Sequence, residues 1–148
     1  LEPSLIEAAS IVYLEGYLFD RIEAKDAFKE AARLARKSGA KVALTLSDAF
    51  CVDRHRADFL RFIREGTDIL FANEKEITSL YEVNSFAEAA DAALSDCELA
   101  VLTRSEEGSV IVADGETIAI APEPVRELLQ ARRPRRSPTP QRGRATRS

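Results

Sequence analysis

Asn73 and Glu76 are the residues of this chain best suited to chemistry, and they follow a short apolar run, Asp68-Ile-Leu-Phe-Ala-Asn73-Glu-Lys-Glu76. If the run is a buried strand, both side chains lie near its carboxyl end, which is where open α/β sheets bind ligands. Amide and carboxylate oxygens are ligands of Mg²⁺, and the start of the following helix favours an anion such as phosphate. The position of the two side chains after the strand therefore makes them candidates for a metal and phosphate site.

The same two residues also have a purely local interpretation. Asn is a favoured residue just before a helix, and a Glu three positions later completes a capping box. The segment Ser85-Phe-Ala-Glu88 repeats this spacing before an ordinary amphipathic helix, where capping alone accounts for it. The two interpretations are compatible, and the spacing by itself favours capping.

A second candidate site is the segment Thr103-Arg-Ser105-Glu-Glu-Gly108, which follows another apolar run. A loop of small and hydroxyl residues after a strand can bring backbone amides and a Thr hydroxyl close to a phosphate. Ser and Gly in a connection are also typical of a simple turn. The segment by itself therefore supports a nucleotide loop only weakly.

The elements that must position these residues follow from the apolar periodicity. Strands are predicted at residues 10–14, 41–46, 69–72 and 99–103, followed by a hairpin over 109–112 and 116–121 that turns at Asp114-Gly115. Helices are predicted at 26–37 and at 86–94. A loop at 47–52 precedes another predicted helix that ends at Gly66, and a further helix follows the strand at 69–72 and continues through Leu80. Strands that alternate with helices predict an α/β fold, with a Rossmann-like, mainly parallel sheet, helices on both faces and a C-terminal antiparallel hairpin.

Length and composition indicate one domain, because 148 residues with 45% apolar content suffice for a single core. No apolar run reaches the roughly 20 residues of a membrane span, and the first residues lack the features of a secretion signal. Cys51 and Cys97 are isolated, so reduced thiols and a cytoplasmic location are expected.

Charge divides the chain near Val125. Residues 1–125 carry 13 basic and 24 acidic side chains, whereas residues 126–148 carry eight Arg, one Glu and three Pro. We expect this Arg/Pro-rich tail to be disordered, since it has too few apolar residues to offset its chain entropy. The tail is compatible with a nucleic-acid-binding arm and with a shifted reading frame, and the other two frames of the encoding DNA would distinguish these.

Four segments in the same order resemble the ribokinase-like (pfkB-type) sugar and nucleoside kinases, with adenosine-kinase-like features. They are Tyr13-Leu-Glu-Gly-Tyr-Leu-Phe19, Leu46-Ser-Asp-Ala-Phe50, Asp68-Ile-Leu-Phe-Ala-Asn-Glu-Lys-Glu76 and Val101-Leu-Thr-Arg-Ser-Glu-Glu-Gly-Ser109. The resemblance covers roughly residues 5 to 125. It implies an ATP-dependent and Mg²⁺-dependent transfer of a phosphoryl group to the hydroxyl of a sugar or nucleoside.

The resemblance also implies roles for individual residues. Asn73 and Glu76 match the family's Asn-x-x-Glu step near the metal and the triphosphate. Thr103, Ser105 and Gly108 match its Thr-x-Gly-x-x-Gly nucleotide loop, with Ser105 at the first Gly position, where a positive φ would be less comfortable. Gly16 and Tyr17 correspond to a strand end near the acceptor substrate.

Two departures from the family pattern limit these implications. The family's N-terminal acceptor-binding portion has no counterpart before Leu1, and its Gly-Ala-Gly-Asp segment, which supplies the catalytic base and the anion hole, is not found. No catalytic residue is therefore assigned, the acceptor is not identified, and we expect a kinase fragment that is inactive alone and self-associates. A non-catalytic nucleotide-binding or interaction module, or a nucleic-acid binder through the tail, is the alternative. Nucleic acid and membrane are not expected partners.

Overall fold

The computed structural model describes residues 1–123 and consists of one six-stranded sheet with helices packed against it. The strands lie side by side in chain order: β1 (Ile11–Glu15), β2 (Lys41–Thr45), β3 (Ile69–Asn73), β4 (Leu99–Thr103), β5 (Ser109–Ala113) and β6 (Glu116–Ile120). The first four are parallel, and β4, β5 and β6 pair antiparallel. This confirms the predicted mainly parallel α/β sheet with a C-terminal antiparallel hairpin.

Five helices connect or precede these strands: α1 (Pro3–Glu7), α2 (Ile22–Ser38), α3 (Ala49–Gly66), α4 (Glu74–Tyr81) and α5 (Phe86–Asp96). Short 3₁₀ segments follow β1 (Gly16–Asp20) and β4 (Ser105–Glu107). The loop predicted at 47–52 is shorter than expected, because the Asp48 carboxylate accepts the Phe50 backbone N–H at 2.8 Å and begins α3 at Ala49. The short helix α1 had no predicted counterpart.

The core lies between the helices and one face of the sheet. Parallel strands in consecutive order, joined by right-handed crossovers, place every connecting helix on the same side. Alternate strand residues such as Leu70, Leu102 and Val112 are accordingly buried against helix residues such as Phe59 and Leu80. This burial fixes the sheet register and with it the positions of the strand ends.

The opposite side of the sheet, which we call the open sheet face, is apolar and partly exposed. Phe71, Val101, Ile111 and Ile118 pair in register across β3 to β6 and form one row on this face. Tyr13 and Ile69 lie on the same face beside that row. Tyr13 meets Phe71 edge-on, with ring centroids 6.2 Å apart. The crossovers put the helices on the other side, so residues 1–123 do not supply the helical cover that was expected on this second face.

Several other expectations concern the chain as a whole. In residues 1–123, no helix is both long enough and apolar enough to cross a membrane. Cys51 and Cys97 are free thiols, as expected. The predicted tail at 126–148 lies outside the described residues.

Candidate active site

The two segments singled out from the sequence meet at one edge of the sheet. Asn73 is the last residue of β3 and pairs in register with Thr103, the last residue of β4. Thr103 in turn pairs with Ser109 at the start of β5. The candidate metal residues and the candidate nucleotide loop are therefore neighbours at the carboxyl ends of two adjacent parallel strands, where α/β sheets bind ligands.

Asn73 and Glu76 form a complete capping box at the start of α4. The Asn73 side-chain oxygen accepts the Glu76 backbone N–H at 2.9 Å, and Glu76 Oε2 accepts the Asn73 backbone N–H at 2.9 Å. The Asn73 side-chain amide also donates to Glu76 Oε1 at 2.6 Å. The local interpretation is thus confirmed, and the box holds both side chains in fixed positions at the strand end.

Glu76 is a buried carboxylate, with only 6% of its surface exposed. Burial raises its pKa above the usual range, the hydrogen bond from the Asn73 backbone lowers it, and the negative charge of Asp48 raises it further. A nearby divalent cation would relieve both unfavourable effects. The donor set, with amide and carboxylate oxygens, is of the hard type that Mg²⁺ prefers.

The loop between β4 and β5 is tight and depends on Gly108. Gly108 has φ +86°, and a Cβ at this position would lie 2.1 Å from the Ile120 carbonyl oxygen. Ser105 has φ +50°, so the position where the family pattern has Gly does adopt the left-handed conformation. The loop is closed by the Arg104 backbone N–H, which donates to the Gly108 carbonyl at 2.8 Å.

Two clefts meet at Asn73 and Thr103. The larger, of about 560 Å³, lies over the candidate nucleotide loop and the start of α4, and is lined by Asn73, Glu74, Lys75, Thr103, Arg104, Ser105, Glu106 and Glu107. The smaller, of about 250 Å³, lies on the open sheet face and is lined by Thr45, Ser47, Phe71, Ala72, Asn73, Glu76, Val101 and Thr103. A ligand in either cleft would lie beside the strand ends that carry the candidate residues.

Arg104 is the residue of this cleft that the sequence interpretation missed. Its guanidinium pairs with both Glu74 oxygens at 3.2 and 3.3 Å and with Glu107 at 2.6 Å, and it stacks over the Phe86 ring at 4.2 Å. The carboxylates hold the pKa of Arg104 above its ordinary value. The only signal in the sequence was its place inside the Thr-x-Ser segment, since its partners come from α4, α5 and the 3₁₀ segment.

Gly16 and Tyr17 lie apart from this cleft, at the end of β1 and separated from β3 by β2. Gly16 is buried, and a Cβ there would lie 2.4 Å from the Thr45 carbonyl oxygen, so only Gly allows β1 and β2 to approach this closely. Tyr17 is 55% exposed. Neither residue lines the two clefts at Asn73 and Thr103.

The sequence profile described as pfkB family carbohydrate kinase matches residues 2–130 of the chain. The chain belongs to the pfkB family. This agrees with the order of the four segments and with the capped Asn73 beside Thr103. The comparison with curated proteins gave no match.

Solved structures of sugar and nucleoside kinases are similar over most of this chain. A probable sugar kinase from Rhizobium etli CFN 42 is 41% identical with a TM-score of 0.83, and an adenosine kinase from Sinorhizobium meliloti is 43% identical with a TM-score of 0.83. Each match covers 86% of this chain and 39% of the chain of the kinase concerned. A putative ribokinase II from E. coli, in complex with ATP and Mg²⁺, shares the fold at 18% identity with a TM-score of 0.75, covering 86% of this chain and 42% of that chain. The pfkB chain described here thus spans about two fifths of the length of these proteins.

Proposed function

We propose that this pfkB chain carries the nucleotide and magnesium side of a phosphoryl-transfer site, which uses ATP and Mg²⁺ and serves a sugar or nucleoside acceptor. The observation that carries the proposal is the register pairing of Asn73 with Thr103, which brings Asn73, Thr103 and Ser105 to one cleft and Glu76 to the cleft that adjoins it. The family membership and the ATP and Mg²⁺ bound to the E. coli ribokinase II support it.

Asn73 and Glu76 are the residues proposed to hold the magnesium shell. Their oxygens each take one hydrogen bond within the capping box, and a carbonyl or carboxylate oxygen has a second lone pair available for a metal-bound water. Mg²⁺ would neutralise charge on the transferring phosphoryl group. The capping box would keep the two side chains in place without reorganisation when the nucleotide binds.

Thr103, Ser105 and Gly108 are proposed to contact the nucleotide through the Thr hydroxyl and the loop amides. Backbone N–H groups in tight loops of this kind form anion-binding concavities. Arg104 adds a positive charge at the same cleft, held in place by Glu74 and the Phe86 ring. A phosphate would compete with the carboxylates for this guanidinium, because a guanidinium can form bidentate pairs with either group.

The acceptor is proposed to bind on the Gly16 and Tyr17 side of the sheet. Both residues follow β1 at the same sheet edge, and exposed Tyr17 can contact a ring or a hydroxyl. This part of the proposal starts from the family resemblance. It is tested by the Tyr17→Phe and Tyr17→Ala variants, which should leave ATP affinity unchanged and weaken binding of adenosine or ribose in an equilibrium titration.

Nucleotide binding tests the central proposal directly. We expect the affinity for a fluorescent ATP analogue to be at least tenfold higher with Mg²⁺ than with EDTA, and this difference to disappear in Glu76→Gln. The matched control is Glu88→Gln, which changes the Glu of the equivalent Ser85-Phe-Ala-Glu88 spacing and should keep the difference. Equal magnesium dependence in both variants would contradict the assignment of Glu76.

Turnover is a separate question from binding. A general base is typically worth about 10² to 10⁴ in rate, and one anion-hole donor about 10² to 10³, and no Gly-x-Gly-Asp occurs in the 148 residues. We therefore expect negligible turnover from this chain alone, in a coupled assay with ATP, Mg²⁺ and adenosine or ribose. Measurable turnover would contradict that expectation, whereas binding without turnover also fits a non-catalytic nucleotide-binding module.

A further inference from the structure

We propose that Asp20, Cys51 and His55 form a binding site for a thiophilic divalent cation of the Zn²⁺ type, separate from the proposed magnesium site. One ligand atom of each residue lies within 4.8 Å of the other two. Together they offer one oxygen, one sulfur and one nitrogen donor. This is a donor set for zinc, whereas Mg²⁺ is bound by oxygen ligands.

Two elements build the site. Cys51 and His55 are four residues apart near the start of α3, which is kinked at His55 (φ −125°, ψ 19°), and their ligand atoms lie within 4.8 Å of each other. Asp20 is the last residue of the 3₁₀ segment that follows β1. Cys51 is 1% exposed, and the side chains of His55 and Asp20 are 20% and 49% exposed. A cation would therefore enter past Asp20 and reach the thiol at the bottom of the site.

The three ligand atoms lie within 4.8 Å of one another, and a bound cation sets the separations that they must reach. Zinc lies roughly 2.3 Å from sulfur and 2.0 to 2.2 Å from nitrogen or oxygen. In a tetrahedral site these lengths place the ligand atoms roughly 3.4 to 3.6 Å from one another. Asp20 Oδ1 and His55 Nε2 are 2.8 Å apart and share a hydrogen bond, so they would separate slightly as the cation enters.

The hydrogen bonds define the proton that the cation would replace. Lys25 Nζ lies 3.2 Å from His55 Nδ1, and an ammonium group can only donate, so Nδ1 accepts and Nε2 carries the hydrogen that bonds Asp20. On binding, the cation takes the Nε2 lone pair, the ring proton moves to Nδ1, and the Cys51 thiol proton is released to solvent. Lys25 then keeps its other partner, Asp58, at 2.6 Å.

Two positively charged side chains flank the site and limit its affinity for the metal cation. Arg54 donates to both Asp20 oxygens, at 3.1 and 2.8 Å, and a carboxylate has enough lone pairs to accept these bonds and bind a metal as well. Lys25 opposes binding more directly, because its hydrogen bond to His55 Nδ1 is lost when the ring proton moves there, and its positive charge repels the cation. The site should therefore bind its cation reversibly, and Lys25→Met should bind it more tightly than the unchanged chain does.

Cobalt substitution provides the test, because Co²⁺ bound by a thiolate gives a sulfur-to-metal charge-transfer band. Titration of the full chain with Co²⁺ should produce this band, and added Zn²⁺ should remove it while a large excess of Mg²⁺ should not. Cys51→Ala should abolish the band. Cys97→Ala is the matched control and should retain it, since Cys97 belongs to none of the three-residue groups among residues 1–123 that could hold a metal.

Asp20→Asn and His55→Gln keep the test decisive if loss of the buried thiol prevents folding. Both side chains are partly exposed, so these variants should fold, and each should weaken Co²⁺ binding at least tenfold. No band in the unchanged chain, a band lost in Cys97→Ala, or unchanged affinity in both Asp20→Asn and His55→Gln would overturn the proposal. None of these outcomes depends on ATP binding, so the site can fail without the proposed kinase function failing.

Discussion

The candidate nucleotide loop contains two residues at positive φ whose substitution should have opposite effects. Ser105→Gly should raise the free energy of unfolding by about 1 kcal/mol, the usual cost of a left-handed non-Gly residue. Gly108→Ala should lower it by roughly 3 kcal/mol, because the added Cβ meets the Ile120 carbonyl. Gly115→Ala is the control for φ alone, since Gly115 also has a positive φ but faces open space, and should cost about 1 kcal/mol. Urea denaturation measures all three, and equal losses in Gly108→Ala and Gly115→Ala would refute the clash.

Cys97 allows a prediction about thiol reactivity. Burial, together with the charge of Asp96, raises the pKa of Cys97 from 9.0 to about 11. The thiolate is the reactive form, so alkylation by iodoacetamide at pH 8 should be roughly 100-fold slower than for an ordinary thiol. The Cys51→Ala variant isolates the signal of Cys97, and unfolding in urea should restore the normal rate. Fast alkylation of the folded chain would show that the half-buried thiol is less shielded than the structure describes.

At the scale of the elements, the same spacing of a capping residue and a Glu three positions later precedes two helices, α4 and α5, that are capped differently. Asn73 caps α4 with a full capping box, whereas Ser85 at the start of α5 makes no side-chain capping bond, which corrects the expectation that capping accounts for that spacing. Asn73→Ala should therefore lower the free energy of unfolding by about 1 to 2 kcal/mol, and Ser85→Ala by much less. Thermal or urea unfolding compares them. A loss at Ser85 as large as that at Asn73 would show that position alone, and not the hydrogen bonds, sets the cost.

The elements also show how far local patterns carry. Apolar periodicity predicted the strands and most of the helices, because each buries one face. It misplaced the start of α3, since Asp48 begins that helix through its own hydrogen bond. It could not predict the setting of Arg104 or the grouping of Asp20 with His55, because these contacts join residues that are far apart in the chain.

At the scale of the whole molecule, the sequence predicted the class of sheet but not how its faces are covered. The alternation of strands and helices is local information, whereas the consecutive strand order, which places every connecting helix on one side, is a property of the assembled sheet. The meeting of Asn73 with Thr103 follows from the same order, because only neighbouring strands bring their ends together. The same consecutive strand order therefore produces both the candidate site and the open sheet face.

That open face leads to the last prediction, which is self-association of this chain through a second copy. The face is apolar, and Tyr13 and Ile118 on it are 54% and 55% exposed. Among residues 1–123, β6, which carries Ile118, is the edge strand of the sheet, and all of its residues are exposed. Contiguous apolar surface and unpaired strand edges both favour association. Light scattering coupled to gel filtration should therefore detect dimers or larger species in the unchanged chain, and Ile118→Lys should shift them towards monomer.

Ile22→Lys is the matched control, since Ile22 is an exposed Ile at the start of α2, and it should leave the association unchanged. A monodisperse monomer of the unchanged chain, or equal effects of both variants, would contradict association through this face.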